Sequence, residues 1–199
     1  MRNPQNVPLS GMPARVRVYE VGPRDGLQNE STVLDVTTKA EFVRRLVAAG
    51  LDAVELTSFV PASWIPQLAD SEELLALLGP MPGRHPVLVP SLRGLERAMV
   101  AGAMEIAIFA SVTESFAHKN LNRSVAESLK MFAPVVATAR DAGLAVRGYV
   151  SMYLGDPWEG SVPVEQVGAV APSWTPWVVA RFRWAIPSAS PRRATWWRS

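Results

Sequence analysis

The 199-residue chain has no cysteine and only two histidines, His85 and His118. Without cysteine it can form no disulfide framework and no thiolate metal site, and it has no cysteine nucleophile. It also has no apolar run approaching the roughly 20 residues that a bilayer-crossing helix needs. Its opening, MRNPQNVPLSGMPARV, lacks the apolar stretch of a secretory signal, so a cytoplasmic chain with no membrane partner is expected. No GxGxxG follows the first strand-like run and no GxxxxGK[ST] occurs anywhere, which removes the common nucleotide-binding loops. At 48% apolar residues the sequence is not that of a disordered protein. Its length suits one ordinary domain or part of a larger one.

Acid is missing from the end of the chain. Residues 1–171 carry 15 basic and 18 acidic side chains, a net of −3, whereas residues 172–199 hold five arginines and neither acid nor lysine. The same 28 residues contain five of the seven tryptophans and four prolines. A basic, Trp-rich tail could stack on nucleic acid or lie on an anionic membrane. The prolines forbid one continuous amphipathic helix, and neither partner is expected.

What is present is alternation. Residues 16–21 (VRVYEV), 53–57 (AVELT), 86–90 (PVLVP), 105–110 (EIAIFA) and 145–151 (AVRGYVS) read as strands. Helical spacing fills the intervals: 37–49 ending at Gly50, 71–78 with Ser71 as cap, 93–101 ending at Gly102, 124–142 and 164–171. Ser124 and Glu127 form a capping-box pattern. Five strand–helix repeats predict an α/β fold with a parallel sheet covered by helices. Polar residues crowd the strand C-termini: Arg24 and Asp25, then Glu55, Thr57 and Ser58, then Ser91, then Ser111 and Thr113, then Ser151. Barrel enzymes keep their chemistry at that rim, which favours a partial (β/α)8 TIM barrel.

The densest group is EVGPRDGLQNE, residues 20–30. An Arg-Asp pair at a strand end places a guanidinium beside a carboxylate. The carboxylate Asp25 could anchor a hard divalent cation whose shell is completed by water and substrate, and Arg24 could stabilise a developing enolate. A plain turn salt bridge fits the same residues. Gln28 reads as a residue that orders the turn or contacts substrate. Ser58 and Ser91 read as backbone-capping hydroxyls, His85 as exposed, and His118 and Lys119 as an exposed polar loop. Arg147, inside a strand, would need carboxylate partners.

VGPRDGLQNE, ELTSFV, WIPQLAD, FASVTESFAHKNLNRSVAES and VRGYVSMYLGDPWEG, in this order, resemble the 3-hydroxy-3-methylglutaryl-CoA lyases. The resemblance covers residues 16–171. It implies a pyruvate-carboxyltransferase-like TIM barrel that cleaves an acyl-CoA substrate into acetyl-CoA and acetoacetate with Mg2+ or Mn2+, in leucine degradation and ketone-body formation. Carried residue by residue, it implies Arg24 as the enolate-stabilising group, Asp25 as a metal ligand, Glu55 as a catalytic-site carboxylate and Gln28 near substrate. It also implies a homo-oligomer. Related Claisen-type synthases share the Arg-Asp pair, whereas GLQNE is particular to the lyases.

The resemblance also implies an H-x-H pair, an asparagine and a cysteine on a glycine-rich loop, and this chain has neither the H-x-H pair nor the cysteine. The family continues with a strand of the type EISLGDTIG where this sequence reads PSWTPWVVARFRWAIP. Back-translated and shifted so that each codon starts on the third base of the old one, Trp174-Thr175 contains an aspartate codon. Trp177-Val178 and Trp184-Ala185 then contain glycine codons. The degenerate bases between them permit VSLGDTIG. Three segments are therefore expected: residues 1–14 as a flexible N-terminus, 15–171 as the N-terminal part of the barrel, and 172–199 as a non-native, frameshifted tail. A barrel of five strands would not close, and the chain itself is expected to be nearly inactive.

Overall fold

The structure is a computed structural model and describes residues 17–170 and 179–180. The expected N-terminal segment 1–14 and most of the 172–199 tail lie outside the described residues.

All five predicted strands occupy neighbouring places in one parallel row, although the first two are held by single bridges rather than long ladders. Glu20 pairs with Val54, Ala53 with Arg84 and Ser58 with Leu88. Three regular strands follow: β1 (Val87–Leu88), β2 (Glu105–Ser111) and β3 (Ala145–Ser151). β2 and β3 run in register over their whole length, Glu105 opposite Ala145 and Ser111 opposite Ser151. After β3 comes a short antiparallel hairpin, β4 (Gly155–Asp156) and β5 (Gly160–Ser161), which the strand pattern did not indicate. β6 (Val179–Ala180) then pairs in parallel with Arg147 and Gly148, adding a sixth place to the row from inside the tail.

All but one of the helices lie where the apolar spacing put them. α1 (Val36–Ala48) starts at Asp35, whose carboxylate accepts the Thr38 amide at 2.9 Å, and is followed by Gly50 at φ 93°, a left-handed conformation suited to glycine. α2 (Ser71–Leu78) is capped by position rather than by a side chain. Ser71 is its first residue, and the expected cap role fails because its hydroxyl faces backward, 2.8 Å from the Ser58 carbonyl and 2.7 Å from that of Leu68. α3 (Leu92–Val100) is capped by Ser91, as expected, through the Gly94 amide. α4 (Glu114–Leu121) replaces the expected loop around His118 and Lys119. α5 (Val125–Asp141) carries the full capping box of Ser124 and Glu127, and α6 (Val164–Val170) follows the β4–β5 hairpin.

Alternation along the strands divides the sheet into two faces. Val54, Leu56, Val87, Val89, Ile106, Ile108 and Ala110 pack against Val43, Leu74, Leu95, Phe132 and Val136 of the helices. On the other face Leu88, Ala107 and Tyr149 make a separate small cluster. α3 sits close to the sheet because Gly94 has no side chain: a Cβ there would lie 2.9 Å from the Phe59 carbonyl oxygen. Parallel strands with helices on one face and an inner face of their own are the arrangement of a TIM barrel over its first part.

Candidate active site

The first strand segment ends in a five-residue π-type turn, Gly22–Gly26. One carbonyl holds it: the amides of Arg24, Asp25 and Gly26 reach Val21 O at 3.2, 2.7 and 3.3 Å. Upstream, the Glu20 carboxylate accepts the Gly22 amide at 2.6 Å, and a Cβ on Gly22 would fall 2.8 Å from that same oxygen. A side chain at that position would push the Glu20 carboxylate away from the turn. The Asn29 side chain closes the turn from below by donating to the Asp25 carbonyl at 2.5 Å.

The turn delivers Arg24 into the inner face, where it is only 6% exposed. Its Nε donates to Glu55 Oε1, and its Nη1 donates to Asp25 Oδ1 at 2.8 Å. Glu55 lies between Val54 and Leu56, so the strand period that sends those two to the helices sends it inward, fully buried. Its second oxygen accepts the hydroxyl of Tyr149 from β3, so both carboxylate oxygens are occupied. Burial works against the Arg24 charge, but Glu55 and then Asp25 outweigh it and hold the guanidinium above its ordinary pKa. Burial, followed by the Glu55 charge, pushes the Tyr149 phenol up as well.

The structure thus brings together three of the four sequence-proposed residues, Arg24, Asp25 and Glu55. Gln28 follows on a separate 3-10 turn, Leu27–Asn29, half-buried, and its side chain bonds to no described residue. Tyr149 was not singled out from sequence. The signal was available in AVRGYVS, where the two-residue period places Tyr149 on the face opposite Val146 and Val150. The expectation for Arg147 is corrected: no described carboxylate pairs with it, and its guanidinium lies over the rings of Tyr19 and Tyr149. Ser58 is buried and its hydroxyl has no described partner, so it caps nothing. His85 folds back onto the Pro82 carbonyl at 2.9 Å instead of standing in solvent.

Beyond β2 and β3 the rim is tied together by Asp156. It is 5% exposed and accepts the Thr113 hydroxyl at 2.6 Å and the Trp158 amide at 2.7 Å. His118 faces Glu114 at 3.7 Å on α4, and the Lys119 ammonium lies 4.7 Å from the centre of the Trp158 ring. A cavity of about 680 Å³ opens at the opposite end of the sheet, lined by Leu75, Met81, Arg84, His85, Glu105 and Ala145, well away from Arg24.

For a divalent metal the described residues provide one anchor. No three histidine or carboxylate side chains come together among them, and Oδ1 of Asp25 is already bonded to Arg24. A single carboxylate does not by itself make a metal centre. Among the described residues no helix is long and apolar enough to cross a membrane.

A family model described as HMGL-like matches residues 15–185. The chain is 48% identical over 164 residues to the cytoplasmic 3-hydroxy-3-methylglutaryl-CoA lyase of Rattus norvegicus, covering 82% of the chain and 48% of that relative. It is 44% identical over 164 residues to the mitochondrial hydroxymethylglutaryl-CoA lyase of the same organism, covering 82% of the chain and 50% of that relative. The fold matches the crystal structure of hydroxymethylglutaryl-CoA lyase from Pseudomonas aeruginosa with a TM-score of 0.82 at 42% identity, over 85% of the chain and 58% of that structure. The chain spans about half the length of the curated relatives it matches.

Proposed function

The chain belongs to the HMGL-like family, and from that premise we propose that its site serves the carbon–carbon cleavage of 3-hydroxy-3-methylglutaryl-CoA to acetyl-CoA and acetoacetate. The observation that carries this reading is the Arg24 guanidinium, held by two carboxylates at the C-terminal rim of a parallel sheet. Cleavage of the C2–C3 bond leaves an enolate on the acetyl-CoA fragment. Nε and Nη1 of Arg24 are committed to Glu55 and Asp25, which leaves Nη2 to donate to that oxyanion. A donor fixed in advance stabilises charge as it develops without reorganising. Glu55 has no free oxygen with which to take a proton, so its part is to hold Arg24. It is a positioning residue rather than a base.

The family is metal-dependent in general. Asp25 is the residue of this chain that would offer a ligand to Mg2+ or Mn2+, and the metal, when bound, would acidify the substrate hydroxyl. Gln28, on the next turn, would contact substrate in this reading or else order the turn. An acyl-CoA partner, a cytoplasmic location and association of the family into homo-oligomers belong to the same reading. So does the assignment of residues 172–199 as an out-of-frame tail and 15–171 as native barrel. The chain has no cysteine and no H-x-H pair, and the same reading expects it to be nearly inactive by itself.

The test has two arms. Acetoacetate formation from the CoA thioester with Mg2+ or Mn2+ is followed for the purified chain, and the expected rate stays at the no-enzyme control. One base is then restored at the Ala171/Pro172 codons, so that translation continues through LGDTIG. The frame-restored protein is expected to cleave, and Arg24→Met to lose about 100-fold or more, the scale of removing one oxyanion donor. Cleavage that survives Arg24→Met would overturn the reading. So would a frame-restored protein that acts on another acyl-CoA and not on this one.

A further inference from the structure

β3 presents Arg147 and Tyr149 on the inner face, two residues apart, while Val146 packs into the helix-facing core and Val150 into a second apolar cluster. Arg147 is 7% exposed. The other buried cations among the described residues each face a carboxylate: Arg24 meets Glu55 and Asp25, and Lys39 meets Asp70 at 2.8 Å. Arg147 does not, and its Nε has no described partner. A buried charge without a counter-charge is costly unless something else on the site uses it. What surrounds it is aromatic. The guanidinium carbon lies 3.7 Å from the centre of the Tyr19 ring and 4.9 Å from the centre of the Tyr149 ring.

We propose that Arg147 is a positioning residue of the site: its guanidinium, lying over the rings of Tyr19 and Tyr149, fixes Tyr149 so that its hydroxyl completes Glu55 and keeps Glu55 on Arg24. The order of contacts leaves little choice. A tyrosine has two side-chain torsions, and a cation attracted to the ring face favours the pair that keeps the ring beneath it. With the ring fixed, the hydroxyl reaches one oxygen of Glu55, and the other oxygen is left to Arg24 Nε. Tyr19 supports the cation from the first strand segment, with Arg84 5.7 Å from the centre of its ring and itself paired to Glu105. The consequence for catalysis rests on the proposed role of Arg24. The placement of Tyr149 does not.

The chain has three tyrosines, Tyr19, Tyr149 and Tyr153, so labelling their ring Cζ with 13C gives three NMR signals, each assigned by its Tyr→Phe variant. The charged and titratable groups around Tyr149 are Glu55 and Arg24 across the site, Arg147 on its own strand, and Tyr19. In the native chain burial and Glu55 hold the phenol up, and its signal is expected not to titrate up to about pH 11. In Arg147→Met the freed ring leaves both Glu55 and its buried place, and its signal is expected to begin titrating at lower pH than in the native chain. Arg147→Lys, which keeps a cation, is expected to stay close to native. If Arg147 only fills space, Tyr149 remains on Glu55 in Arg147→Met, loses a nearby cation, and still does not titrate; that outcome overturns the proposal.

Should Arg147→Met fail to fold, Tyr19→Leu keeps the charge and removes one ring, and the Tyr149 signal is expected to titrate earlier than in the native chain. An unmoved signal there also overturns the proposal. The readout needs no turnover, so a failed cleavage assay counts against the lyase reading alone, and an unmoved Tyr149 counts against this assignment alone.

Discussion

The two faces of the same strands follow different rules. Toward the helices, Val54, Ile106 and Ile108 meet Leu74, Leu95 and Phe132 with no charge among them. Toward the inside, one residue along, Glu55 meets Arg24 and Tyr149. The outer face gains stability from area removed from water and tolerates any side chain of suitable size. The inner face gains little from area and depends on each polar atom finding its partner. A one-residue slip of the second strand would exchange them, placing a carboxylate in the apolar layer. The difference shows why stability and chemistry can be read separately in this molecule.

Four changes would break or sharpen that contrast. Phe132→Ala should have the largest effect, about 3–5 kcal/mol by urea denaturation, because Phe132 is fully enclosed by the helix-facing core. A cost under about 1 kcal/mol would mean that the outer layer is not close-packed. Glu55→Leu comes next, at about 3 kcal/mol or more, since it leaves Arg24 buried with only the half-exposed Asp25 beside it. The Arg24→Met, Glu55→Leu double variant should recover much of that loss. A double variant worse than the sum of its parts would contradict the account of the inner face. Ser91→Ala removes the cap of α3 and should cost about 1 kcal/mol, with no change in Tyr149.

The smallest effect is that of pH. Asp35, through the Thr37 and Thr38 hydroxyls, and Glu72, through Arg97, are held below the ordinary carboxylate range. A lowered folded-state pKa gives stability that is present above the unfolded value and lost as pH falls through the folded one. The denaturation midpoint should therefore drop below about pH 4. Glu72→Gln should flatten the drop slightly, because the pair is partly exposed and screened. A midpoint that rises on acidification would reverse the sign assigned to these groups.

The outer face was largely legible in the sequence. Periodicity placed β3 at its observed limits, and the Ser124–Glu127 box and Gly50 marked the ends of α5 and α1. Those signals are local, spanning a turn or a few residues. The inner face was legible only where chemistry is dense, at Arg24-Asp25. Tyr149 bonds to a residue 94 positions away, and no local pattern records that meeting. The β4–β5 hairpin was missed for a similar reason. Two-residue strands have no period, and the hairpin is held by Asp156 reaching back to Thr113 on the segment after β2. Ser71 shows a third limit: a serine ahead of a helix has several backbone groups within reach, and composition does not say which it takes.

β6 joins the row through the backbone of two residues, Val179 and Ala180, set against Arg147 and Gly148. Ladder hydrogen bonds use amides and carbonyls that nearly every residue carries, so the side of β3 that β6 occupies discriminates by shape and hardly at all by identity. Such an edge is permissive in evolution, because almost any extended segment that follows can occupy the next place while its coding sequence drifts. It is promiscuous in solution for the same reason, since the extended segment it accepts need not belong to its own chain.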